Sequence, residues 1–132
     1  MKVLIAEDDF ASRKFMLKFL TKYAEVDVTV DGMEAVSAFE LAHEDNDPYD
    51  LVCLDVMMPN MDGLEALETI RQIEEDRGIE KKNRVKIIMT TALNEVNQVE
   101  QAFSLGCEGY TVKPIDTVKF LTIMKKMGLN VE

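Results

Sequence analysis

The chain has 132 residues, enough for one hydrophobic core but not two, and its 47% hydrophobic and 30% charged fractions exclude a disordered chain. Twenty-five acidic against 15 basic residues give a formal charge of −10, which repels a polyanionic duplex and argues against direct DNA binding. No apolar run reaches the length of a membrane span and the start lacks a basic-then-apolar leader, so the expectation is a cytoplasmic protein with no membrane contact.

Along the chain, apolar runs of strand length alternate with longer segments of helical spacing, five times over. Val3–Ala6 is continuous and apolar and stops at Glu7, Asp8 and Asp9. A first helix follows, with Phe15 over Phe19 and Met16 over Leu20 at i, i+4. Val26–Val30 alternates, as an edge strand does. Asp31 and Glu34 have the spacing of a capping box. They open a second helix with Ala35, Val36 and Phe39 inward, and His43, the only histidine, on its polar side and solvated. Leu51–Leu54 is a third strand in which Cys53 reads as a buried, inert thiol. Asp55 ends it, before a loop crowded with Met57, Met58 and Met61.

Leu64, Leu67, Ile70 and Ile73 mark the third helix, and the charged residues from Glu74 to Lys82 read as its solvated end. Val85–Met89 is the fourth strand and runs into Thr90 and Thr91. Val96, Val99 and Phe103 mark the fourth helix, Tyr110–Val112 the fifth strand, and Val118, Leu121 and Met124 the fifth helix. Gly78, Gly106 and Gly128 stand where helices should stop. Cys53 and Cys107 have neither metal-ligand nor redox spacing, which suits a reduced compartment.

Five βα units with right-handed crossovers predict an α/β fold, a parallel sheet with helices on both faces, over residues 1–132 as one domain. Ligands in such folds bind at the carboxyl ends of the strands. Those ends carry Glu7-Asp8-Asp9, Asp55, Thr90-Thr91 and Lys113-Pro114. Crowded carboxylates repel by roughly 4 kcal/mol per pair at 4 Å and tolerate this around a divalent cation. Oxygen ligands beside a phosphate favour Mg²⁺. A carboxylate is also a competent nucleophile toward phosphorus. Lys113 and a threonine hydroxyl would then neutralise and hold the phosphoryl oxygens.

The segments VLIAEDD, LVCLDVMMPNMDG, IIMTTA and GCEGYTVKP, in that order and spacing, resemble the receiver domains of two-component response regulators across nearly the whole chain. The resemblance implies a flavodoxin-like (βα)5 fold with strand order 2-1-3-4-5 and no output domain. It implies Asp55 as phosphoacceptor, with Asp8, Asp9, Asp55 and the Met57 carbonyl holding Mg²⁺. Thr91 becomes the switch hydroxyl, Tyr110 the switch aromatic and Lys113 the phosphate-contacting cation before a cis Lys113–Pro114 bond. A sensor histidine kinase is the implied donor, and a protein partner reads the face of the fourth helix, fifth strand and fifth helix, with Val99 and Phe103 candidate contacts. The expected state is a monomer, with a dimer on phosphorylation, or passage of the phosphoryl group to a phosphorelay histidine, as the alternatives.

Two rivals fail on residues. An aspartate-based phosphatase needs a second acid two positions after the nucleophile, where Met57 stands. A flavin carrier needs a hydroxyl- and glycine-rich loop where Glu7-Asp8-Asp9-Phe10 stands. In receivers, the residues two after the acceptor and two after the switch threonine flank the path of the hydrolytic water; here they are the bulky, apolar Met57 and Leu93. Slow self-dephosphorylation is therefore expected.

Overall fold

The computed structural model describes residues 1–92 and 97–132. Five strands, β1 (Lys2–Ala6), β2 (Glu25–Thr29), β3 (Leu51–Asp55), β4 (Lys86–Thr91) and β5 (Gly109–Val112), alternate with α1 (Phe10–Leu20), α2 (Gly32–Glu44), α3 (Gly63–Asp76), α4 (Val99–Leu105) and α5 (Thr117–Lys126). All pairings are parallel and the order is β2-β1-β3-β4-β5, as the resemblance implies. The three interior strands are the ones whose sequences run apolar without alternation, because helices cover both their faces.

The sheet divides the interior in two. On one face Met16, Phe19 and Leu20 of α1 meet Phe120 and Met124 of α5, and the Phe19 and Phe120 rings stand edge to face at 5.7 Å. On the other face α2, α3 and α4 bring Phe39, Leu67, Ile70 and Ala102 against Leu4, Val52 and Ile87. Asp31 caps α2 through Glu34 N–H at 2.8 Å, and the Glu34 carboxylate reaches back to Val30 N–H at 3.1 Å. Gly78, Gly106 and Gly128 follow helix ends with φ of 69°, 107° and 87°, the left-handed turn that glycine adopts without penalty.

Several expectations fail on particular side chains. Among the described residues Val118 is the most exposed large apolar one, at 72%. Three-residue steps fall short of a full turn by about 60° each, so Val118 lies far round α5 from Met124, and Phe120 is buried instead. Phe15 is half exposed rather than buried, while Phe103 faces outward beside buried Ala102, as a candidate contact residue would. His43 is not simply solvated: it packs at 4.9 Å on the Phe39 ring, and burial depresses its pKa. Glu74 is fully buried rather than part of a solvated run, because Arg71 one turn earlier pairs with it. Val96 and Leu93 lie outside the described residues.

Candidate functional site

Where β1 ends, the Glu7 N–H still donates to Thr29 O at 3.1 Å, so the strand's geometry carries one residue beyond Ala6. That turns the Glu7 side chain inward, to 3% exposure. One Glu7 oxygen forms an ion pair with Lys113 Nζ and the other accepts the Asp9 N–H at 3.1 Å. Arg13 donates to the carbonyls of Glu7 and Asp8 at 2.9 and 3.3 Å and steadies the turn into α1.

Asp9 itself does something else. It is the N-cap of α1, accepting the Ser12 N–H at 2.9 Å, and that bond holds its carboxyl below the usual range. The structure thus brings Glu7 and Asp8, rather than the expected pair Asp8 and Asp9, together with Asp55. Glu7, Asp8 and Asp55 each offer a carboxylate oxygen, all within 4.8 Å of one another. Glu7 is the first residue after the apolar run Val3–Ala6, a position the sequence marks as a strand end.

Asp55 closes β3 opposite Thr90 and is 5% exposed. Its Oδ2 accepts from Lys113 Nζ at 3.1 Å across 58 residues of sequence. Lys113 reaches this point because its own N–H extends the β4–β5 ladder, donating to Thr91 O at 2.7 Å; the Lys113–Pro114 peptide that follows is cis. Burial and the bond to Asp55 raise the Glu7 pKa, only partly offset by Lys113. Burial alone would lower the Lys113 pKa, but Glu7 and Asp55 together hold it above the ordinary value. The lysine therefore stays charged and serves two carboxylates at once.

Thr91 is fully buried, and its Oγ1 has no hydrogen-bond partner among the described residues. An unmet buried hydroxyl costs about 1–3 kcal/mol, so its persistence fits an acceptor that arrives later. Thr90, also buried, lines an apolar cavity of about 270 Å³ between α1 and the β5–α5 loop, with Glu7 and Lys113 at its edge. Tyr110 is half-buried on β5 against the α3–α4 core. The Met57 side chain is half exposed between buried Val56 and Met58. Leu93, the second flank of the expected water path, lies outside the described residues.

Three carboxylates around one point, all oxygen donors, fit a hard divalent ion such as Mg²⁺. The rim also holds the Lys113 ammonium and a hydroxyl with no partner among the described residues, the kinds of group that could receive a phosphoryl group on a carboxylate. A family model for the response regulator receiver domain matches residues 3–125. The chain is 32% identical over 122 residues to the chemotaxis protein CheY of Treponema pallidum, covering 91% of this chain and 77% of that one. It is 34% identical to hybrid signal transduction histidine kinase B of Dictyostelium discoideum, covering 98% of this chain but 7% of the kinase. Of the transcription factor prr1 of Schizosaccharomyces pombe it spans 22%, at 32% identity over 98% of this chain. Among solved structures, a chain of the CheX-CheY-BeF3-Mg²⁺ complex from Borrelia burgdorferi superposes with a TM-score of 0.81 at 28% identity, over 98% of this chain and 90% of that one.

Proposed function

The chain belongs to the response regulator receiver family, and on that premise we propose that it is a phosphoacceptor switch whose Asp55 takes a phosphoryl group from a histidine kinase. The supporting observation is the rim itself, with Asp55 buried at the end of β3, Lys113 Nζ at 3.1 Å, and Glu7 and Asp8 beside it. An Asp55 oxygen attacks phosphorus, the phosphorus–nitrogen bond of the donor phosphohistidine breaks, and the imidazole leaves after taking a proton from solvent. Lys113 balances the charge gathering on the phosphoryl oxygens, which draws it away from Glu7. Glu7, Asp8, Asp55 and the Met57 carbonyl would hold Mg²⁺, which would supply charge neutralisation there.

The acyl phosphate then offers Thr91 Oγ1 an acceptor that it lacks among the described residues. Drawing Thr91 toward the phosphoryl group shifts its loop and biases the rotamer of Tyr110, so α4, β5 and α5 report the state. Phe103 of α4, Val112 of β5 and Val118 of α5 are exposed on those elements and Val99 is half-buried; Phe103 and Val112 are the proposed contacts for a partner protein. Residues 1–132 act as one receiver unit, and the expected setting is the cytoplasm; no helix among the described residues is long and apolar enough to cross a membrane.

The test is Mg²⁺-dependent labelling by a small phosphodonor, followed by intact mass. A phosphoryl gain removed by hydroxylamine, and absent from Asp55→Asn, is the expected result. No Mg²⁺-dependent gain in the parent, or a full gain in Asp55→Asn, overturns the proposal.

A further inference from the structure

Asp31 is used twice. One carboxylate oxygen caps α2, and the other accepts from Asn60 Nδ2 at 2.7 Å, 29 residues along the chain in the β3–α3 loop. Asp31 is 7% exposed while Asn60 lies at the surface, so this is a half-buried, charge-assisted bond. Asn60 stands in the left-handed region with φ 67°. Its position thus demands both a residue that tolerates positive φ and a side chain that donates; glycine meets only the first requirement, and asparagine meets both.

A second contact runs beside the first. The Gly32 N–H donates to Met61 O at 3.0 Å, and a β-carbon on Gly32 would fall 2.3 Å from that oxygen, so only glycine permits the approach. At the base of the loop the Gly63 N–H donates to Val56 O at 2.8 Å, and a β-carbon there would fall 2.1 Å from Asp55 O. The segment leaving Asp55 is therefore tied at its base to itself and at its tip to the start of α2, with Met57 between the two ties.

We propose that Asp31 and Asn60 are positioning residues of the phosphoacceptor loop, a clasp that holds the backbone between Asp55 and Gly63 and with it the Met57 carbonyl. The inference rests on the receiver reading for its consequence at the metal, but the clasp has a readout of its own. Neither residue touches the reacting atoms; they act through the loop, as groups behind a metal ligand do.

Three variants separate the roles. Asn60→Gly keeps the left-handed backbone and removes the bond. Asn60→Asp sets two carboxylates against each other. The double variant Asp31→Asn/Asn60→Asp rebuilds the bond with donor and acceptor exchanged and still presents an oxygen to cap α2. Hydrogen exchange of amides 56–62, measured without metal, should speed up in Asn60→Gly, more so in Asn60→Asp, and return to the parental rate in the double variant. Mg²⁺ affinity by calorimetry should fall on the order of tenfold in Asn60→Gly and recover in the double variant. Parental loop exchange in a folded Asn60→Gly, or no recovery on the swap, overturns the clasp whatever the metal does. Loosened loop exchange with unchanged Mg²⁺ affinity overturns the link to the metal site, whereas a parent that binds no Mg²⁺ overturns the receiver reading of the rim instead.

Discussion

Among the described residues, two places gather buried and exposed acids around a single cation, and they are built in opposite ways. On α3, Arg71 donates to Glu74 at 2.6 Å, to Val85 O, to Gly106 O and to both Glu108 oxygens. The acids are satisfied a second time, because Glu74 accepts the Val85 N–H at 2.8 Å and Glu108 the Ile87 N–H at 2.7 Å. At the strand-end rim, Lys113 is shared between Glu7 and Asp55, Asp8 stands exposed beside them, and Thr91 Oγ1 has no partner among the described residues. The first cluster is complete and holds the end of α3, the start of β4 and the C-terminal end of α4 together. The second is crowded and incomplete, which is the condition for binding something. Burial and charge are common to both; saturation of the hydrogen bonds tells them apart.

The comparison breaks most visibly at Arg71. Arg71→Met leaves Glu74 buried without a cation and is expected to cost about 3–5 kcal/mol in urea unfolding. Adding Glu74→Leu should recover much of that loss, since an apolar pair replaces the buried charge. A single variant as stable as the parent would show that the cluster is not held by its ion pair.

The rim should respond with the opposite sign. Glu7→Gln removes repulsion, so stability should hold or rise while Mg²⁺ affinity falls tenfold or more, a change of about 1.4 kcal/mol. Asp9→Ala should do the reverse, costing about 1 kcal/mol as the α1 cap is lost and leaving Mg²⁺ affinity near the parental value. Calorimetry paired with urea unfolding reads both, and matching profiles for the two variants would erase the distinction drawn between Glu7 and Asp9.

The smallest effect sharpens the pH dependence. His43 has a folded pKa depressed by burial, so the unfolded chain binds its proton more readily. Its contribution is present above the unfolded value near 6.5 and is lost as pH falls through that value toward the folded one. With a single histidine in the chain, His43→Gln should flatten the stability profile between about pH 5 and 7. A profile of unchanged slope would assign the titration to the rim instead.

Much of this was legible in one dimension. Continuous apolar runs at Val3–Ala6 and Leu51–Leu54 meant strands covered on both faces, and the Asp31 and Glu34 pair marked the start of α2. The family motifs, each short, placed Asp55, Thr91 and Lys113 at strand ends, where backbone periodicity alone decides the location. These are local properties, set within a few residues by pleat, helical pitch and capping chemistry.

What only the tertiary structure decided are the matters of rotation and partnership. Whether Glu7 or Asp9 joins Asp8 depends on how far the β1 geometry runs past Ala6, which the Thr29 carbonyl on the neighbouring strand settles. Glu74 looked solvated because no short-range pattern announces a guanidinium that also reaches Val85, Gly106 and Glu108. Asp31 looked like a helix cap and nothing more, since its second partner lies 29 residues away. A side chain's periodicity is written in its neighbours along the chain, but the hydrogen bonds that complete a buried charge come from elements that only folding brings alongside.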